Sequence, residues 1–353
     1  MLNLNKIIDL RSDTVTLPSD DMLNVMMNAE LGDDVFQEDP TVNELEKKAA
    51  SIMNKESALL VPSGTMGNLI SILAHCPRGT EVILGDKSHT FVYEAGGISA
   101  FGGIHSHQLT NNDDGTIDLD RIENAIRDDN VHYPRTSLIS LENTHNMCYG
   151  TPLTIDYTKS VKKIADLYNL PIHVDGARIF NSAISQNIDV ADLVNNVDSI
   201  TFCLSKGLAA PIGSVLCGSK KFINESRRIR KALGGGMRQA GMIASAGLYS
   251  FNKISQQINN DHENARVLAE GLSKINCLNV DLDKVSTNII YFSINQKVMK
   301  GKELVSLMSS HNVKFFEVSP NKFRLVTHYG IDKTDIDYVL SLFNKNINKG
   351  KHG

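Results

Sequence analysis

Only five cysteines occur in the chain, at positions 76, 148, 203, 217 and 277, and none stands in a CxxC pair. An odd, scattered set argues against a disulfide framework and against a cysteine zinc site. It fits a reducing compartment, with the cytoplasm as the expected location. No run approaches the roughly 20 apolar residues that a membrane span requires. The start, Met1 to Lys6, lacks an apolar core followed by a small-residue cleavage site, so no secretory leader is expected. Charge is nearly balanced: a formal net charge of -4 leaves no footprint for nucleic acid or anionic membrane as a partner. Internal repeats are missing, and no His, Asp and Glu cluster has convincing ligand spacing, so no metal is expected. What is present is ordinary for a soluble globular protein: 353 residues, 41% hydrophobic and 22% charged. That length suits one large α/β domain with a smaller one beside it.

Strands alternate with helices through most of the chain. Val42, Leu45, Ala49 and Ile52 are spaced for a helix that Asp39-Pro40 starts. Ala58 to Val61 reads as a short buried strand closed by Pro62 and Gly64, and a helix from Met66 to Ala74 follows. Further strands are expected at Glu81 to Leu84 and Leu138 to Leu141, then a helix from Ile155 to Tyr168. Two more strands end at Val174 and Leu204. Such alternation implies a mostly parallel sheet covered on both faces, with ligands at the carboxyl ends of its strands. The polar turns after Val61, Leu141, Val174 and Leu204 should then share one crevice. Beyond the Gly234-Gly235-Gly236 break, a long helical stretch from Gly241 to Leu272 leads to strands at Asn288 to Phe292 and Lys322 to Val326. A domain boundary falls near residue 250, and a frayed tail is expected over residues 346–353.

Lys206 stands at the end of its strand, before small residues, where an amine of lowered pKa can form a Schiff base. Asp175 ends the preceding strand, in His173-Val174-Asp175-Gly176-Ala177-Arg178. A lysine and a carboxylate so placed suit the two ends of a pyridoxal ring. Each alone is weak: a strand-end lysine is commonly solvated, and an aspartate there is commonly a helix cap.

Several separated motifs extend this reading. They are Arg11-Ser12-Asp13-Thr14-Val15-Thr16, Gly32-Asp33-Asp34-Val35 with Glu38-Asp39-Pro40, and Pro62-Ser63-Gly64-Thr65-Met66-Gly67-Asn68. Glu142-Asn143-Thr144-His145-Asn146, Leu204-Ser205-Lys206-Gly207-Leu208 and Gly234-Gly235-Gly236-Met237-Arg238 follow in order. Together they resemble the low-specificity L-threonine aldolases, from about Ile8 to Leu342. The resemblance implies the aspartate-aminotransferase-like fold (fold type I): an α/β large domain with a mostly parallel sheet, and a small C-terminal α+β domain. The expected division is an N-terminal arm over 1–15, a cofactor domain over 16–250 and a small domain over 251–345. One departure is Ala209, where the family usually has glycine; a positive φ there would strain the alanine.

The resemblance also implies pyridoxal 5'-phosphate as cofactor, a small amino-acid substrate, and a homotetramer built from dimers with sites at subunit interfaces. Lys206 would be the Schiff-base lysine and Asp175 the partner of the ring nitrogen. Gly64 and Thr65, at a helix N-terminus, and Ser205 would hold the phosphate. Lys231 and Arg238 would reach it from a neighbouring subunit. Arg324 would clamp the substrate carboxylate with Arg178 and Ser12, since a planar fork suits that group; Arg178 would also contact the cofactor. His89 would stack on the ring, and His89 and His132 are both candidates for the base. Tyr93 would shape the pocket around the substrate side chain. The implied reaction is reversible cleavage of L-threonine or L-allo-threonine to glycine and acetaldehyde. A β-eliminating lyase with the same lysine, or a cofactor-binding protein without turnover, stands as the alternative.

Overall fold

The computed structural model describes residues 6–347. Seven strands form the main sheet: β2 (Ser57–Val61), β3 (Glu81–Gly85), β4 (His105–Leu109), β5 (Thr136–Glu142), β6 (Ile172–Asp175), β7 (Ser199–Cys203) and β8 (Ser214–Gly218). Their spatial order is β2-β8-β7-β6-β5-β3-β4. Neighbours from β7 through β6, β5 and β3 to β4 are parallel, while β8 runs antiparallel to both β2 and β7. The inner strands β3, β6 and β7 are buried throughout, as expected where helices cover both faces. Their short apolar runs are legible in the sequence. The edge strand β4 reads His-Ser-His-Gln-Leu and is largely open, so periodicity does not betray it.

Helix starts follow local chemistry. Asp39 caps Pro40–Ile52 by accepting from the N–H groups of Thr41 and Val42, with proline at the first position. Ser63 caps Gly64–His75 through the N–H of Met66. That helix packs tightly on β7: a Cβ at Gly67 would lie 2.5 Å from the Thr201 methyl carbon, and one at Gly64 2.9 Å from the sulfur of Cys203. Glycine at both positions therefore sets how close this helix sits to the sheet.

The expected stretch from Gly241 to Leu272 is helical but not one regular helix. Helix Gly241–Tyr249 widens into a π-turn at Ser250–Ile254 and a tight turn at Ser255–Gln257 before helix Ile258–Ser273. The C-terminal sheet is antiparallel, in the order β12 (Phe316–Ser319), β13 (Lys322–Val326), β10 (Ile289–Ile294) and β9 (Leu278–Val280). Near the N-terminus, β1 (Ile8–Asp9) pairs with β11 (Val313–Lys314), and Ile8 and Leu10 are buried in the core around that sheet. The tail expectation needs correction at its start. Helix Lys333–Ile347 continues through Asn346, and Ile347 is buried in the same core, because an apolar residue at helical spacing has a surface to cover. Residues 348–353 lie outside the described residues.

Candidate active site

The carboxyl ends of β3, β5, β6 and β7 lie on one edge of the sheet, and a cavity of about 380 Å³ opens there. Asp175, Lys206, His89, Tyr93 and Glu142 line it from the large domain. Ser12 and Arg178 line it beside them, and Arg324 and Asn146 meet across it. Turns distant in the chain converge because parallel strands deliver their ends to the same edge.

Asp175 ends β6 and is 3% exposed. Its Oδ2 accepts from Asn68 Nδ2 at 2.8 Å and its Oδ1 from the Ala177 N–H at 3.1 Å. Burial, reinforced by Glu142 across the strand pair, pushes its carboxyl above the ordinary range. Lys206, in the turn after β7, is half-buried and makes no side-chain hydrogen bond or ion pair with any described residue. Its charge acts on Asp13, His89 and Asp175 alike.

The His89 ring places Nδ1 2.8 Å from Glu94 Oε1. Burial alone would lower its pKa, but the Glu94 hydrogen bond and the Asp175 charge outweigh this and raise it. Glu94 is itself buried, which pushes its carboxyl up. One amide joins the two acids, since Asn68 Nδ2 also donates to Glu94 Oε1 at 2.9 Å. Asn68 Oδ1 in turn faces His173 Nε2 at 3.3 Å, and His173 Nδ1 lies 2.9 Å from Ser199 Oγ. Burial holds His173 down to about 3, so it is neutral. Because a carboxylate only accepts, these contacts orient as donors pointing toward Asp175. His89, Glu94 and Asp175 bring ligand-type atoms within 4.8 Å of one another, joined in this structure by protein N–H donors.

Two arginines face the cavity. Arg178 spends one edge of its guanidinium on Asp13, with Nε and Nη2 each donating at 2.6 Å between buried groups. Burial opposes ionisation of Asp13, yet Arg178 holds it at about 2. Arg324, on β13, donates from Nη1 to Asn146 Oδ1 at 2.8 Å and from Nη2 to the Arg11 carbonyl at 3.1 Å. Its Nε is buried without a partner among the described residues. Ser12 accepts from the Thr14 N–H and donates to Asp13.

Not every expected residue lines this cavity. Gly64 and Thr65 begin the helix that carries Asn68, and their N–H groups have no acceptor within the helix. Ser205 is beside Lys206 but outside the lining. His132 is exposed in a loop and does not reach the cavity of its own chain. Lys231 and Arg238 are exposed. Lys231 lines a separate basic pocket of about 560 Å³ with Arg227, Arg228 and Arg230, and Arg238 pairs with Asp33 at 2.9 Å. The donor set fits the expected cofactor: a free amine, a buried carboxylate acceptor, an imidazole face and helix-start N–H groups. Asn68, Glu94, Asp13 and Asn146 were not singled out in advance. Three of them lie inside quoted motifs, whereas nothing in the Phe91–Gly97 stretch marks Glu94.

A family model described as "Beta-eliminating lyase" matches residues 9–295. The chain is 45% identical to "Low-specificity L-threonine aldolase 1" of Arabidopsis thaliana over 342 residues, covering 96% of each chain. It is 41% identical to the "Low specificity L-threonine aldolase" of Escherichia coli K12, covering 94% of this chain and 97% of that one. It belongs to the low-specificity L-threonine aldolase family. The fold agrees: a solved threonine aldolase of Leishmania major superposes with a TM-score of 0.81 at 16% identity, covering 96% of this chain and 99% of that chain. Among the described residues, no helix of this aldolase-family chain is long and apolar enough to cross a membrane.

Proposed function

We propose that this protein cleaves L-threonine and L-allo-threonine to glycine and acetaldehyde with pyridoxal phosphate, and catalyses the reverse condensation. The observation that carries the reading is the convergence of Lys206, buried Asp175, His89 and Arg324 on one cavity, in a chain so similar to named threonine aldolases. When bound, the cofactor supplies a conjugated ring that accepts the electron pair of the broken Cα–Cβ bond.

The chain's own residues do the rest. Lys206 offers the amine that tethers the cofactor. Asp175, buried and fed by Asn68, keeps the ring nitrogen protonated. Arg324, with Ser12 and the outward part of Arg178, binds the α-carboxylate. Holding that group would fix the orientation of the amino acid in the site, and so select which bond at Cα breaks. His89 has Nδ1 committed to Glu94, which leaves Nε2 to take the β-hydroxyl proton. His132 is the other candidate base, from its exposed loop, and Tyr93 bounds the substrate's methyl group. Gly64, Thr65 and Ser205 hold the phosphate, with Lys231 and Arg238 contributed by a neighbouring subunit in a homotetramer. The arm to residue 15, the cofactor domain to 250 and the small domain to 345 divide this work, in the cytoplasm.

The matched family model favours one second reading, β-elimination from an amino acid with a leaving group at Cβ. Purified protein with cofactor should release acetaldehyde and glycine from both threonine diastereomers. Pyruvate and ammonia without acetaldehyde would establish β-elimination instead.

A further inference from the structure

Glu142 ends β5 inside the motif Glu142-Asn143-Thr144-His145-Asn146, to which no role has been attached so far. Its side chain is buried, and its residue pairs with Asp175 in the register of β5 and β6. A carboxylate buried beside another is costly unless donors satisfy it. Here both oxygens accept. Oε2 takes the His89 N–H at 2.6 Å, and Oε1 takes the Asn146 N–H at 2.8 Å. Both donor residues line the cavity, and they come from separate segments of the chain. His89 carries the imidazole beside Asp175. Asn146 passes its own Oδ1 to Arg324 Nη1 at 2.8 Å, and its carbonyl accepts from the Tyr291 hydroxyl at 2.9 Å. One side chain thereby links a strand end of the large sheet to an arginine of the C-terminal sheet.

We propose that Glu142 is a positioning residue that sets the distance between the His89 imidazole and the Arg324 carboxylate clamp, acting through the backbone of His89 and through Asn146. The proposal rests on the functional reading above. Two acceptor oxygens are essential to it. A glutamine must turn its NH₂ toward one of the two N–H donors, and an aspartate is one methylene too short to span both.

The test uses the cofactor-loaded enzyme and glycine as the probe of the clamp. In E142Q, the glycine Kd from visible-spectrum titration should rise about tenfold or more, as for loss of a buried hydrogen bond to a charged group. The KM for threonine should rise with it, with a smaller fall in kcat and little change in Tm or cofactor content. N146A, which keeps Glu142 but removes the relay, should show the same rise, and serves if E142Q does not fold. In cofactor-free protein, deuterium exchange at the His89 and Asn146 segments should quicken in E142Q. Combining E142Q with R324K should raise the glycine Kd by less than the product of the single effects, because both act on one contact. A wild-type glycine Kd in E142Q, or fully multiplicative effects in the double variant, overturns the proposal. So does a fall in Tm with glycine binding intact, which would mark Glu142 as purely structural. Wild-type protein that binds glycine but releases no acetaldehyde would instead overturn the functional reading and leave the Kd comparison interpretable.

Discussion

Arg178 and Arg324 face the same cavity from different regions and are held in different ways. Arg178 follows β6 of the large sheet and is locked to Asp13 by two short hydrogen bonds between fully buried groups. Arg324 stands on β13 of the C-terminal sheet, bonded to a neutral amide and a carbonyl, with its Nε unpartnered among the described residues. Burial lowers its pKa, and Arg178 nearby lowers it further. Arg178 is paired with Asp13, whereas no salt bridge joins Arg324 to a carboxylate among the described residues. A half-buried cation with no counter-charge among the described residues gains from an anion, which supports the proposal that Arg324 takes the carboxylate while Arg178 is chiefly a fixed wall.

Four variants, D13N, R324A, R324K and R178K, test that contrast. D13N should have the largest effect, stranding Arg178 as an unpaired buried charge and destabilising the fold by about 3–5 kcal/mol. Urea unfolding of cofactor-free protein measures it, and a loss as small as that of a surface variant would show that the pair is not structural. Acid should act in the same direction. The folded-state pKa of Asp13 is depressed to about 2 from 3.8, so its stabilisation is present above pH 4 and fades as pH falls toward 2.

R324A should spare stability but cost about 2–5 kcal/mol in kcat/KM, and R324K should recover little, because an ammonium lacks the planar fork. If R324A stays within a few fold of wild type while R178K collapses, the roles of the two arginines are reversed. The smallest effect is expected at Asp261, which is buried and, further opposed by Asp13, has its pKa pushed up to about 8. A carboxyl whose folded-state pKa is raised contributes stability at acid pH that is lost as pH rises through 8. D261N should therefore flatten the decline in Tm between pH 5 and 8 by a few degrees. An unchanged slope would mean that Asp261 does not titrate in the fold.

The strands that carry the site were legible because inner parallel strands are largely apolar runs; Asp175 closes one of them and Lys206 follows shortly after another. Edge strand β4 was not, since four of its five residues are polar and none is fully buried, which leaves neither an apolar run nor an alternation. Ala209 illustrates a local expectation that the backbone meets. Its φ is 55°, in the left-handed region, so an alanine occupies a conformation that favours glycine. The frayed tail failed at Ile347, whose burial depends on the core it happens to reach.

By itself the sequence determined the order of strands and turns, the helix start at Asp39-Pro40, and which residues carry an amine, an imidazole or a guanidinium toward the strand ends. These follow from local chemistry and from periods of two and 3.6 residues. Partnership was decided only by the tertiary structure. Asn68 bridges two acids, Glu94 meets His89, Asp13 takes the fork of Arg178, and Asn146 rather than a carboxylate meets Arg324. Such pairings join residues far apart in the chain, and their strength comes from burial, which no short stretch of sequence encodes.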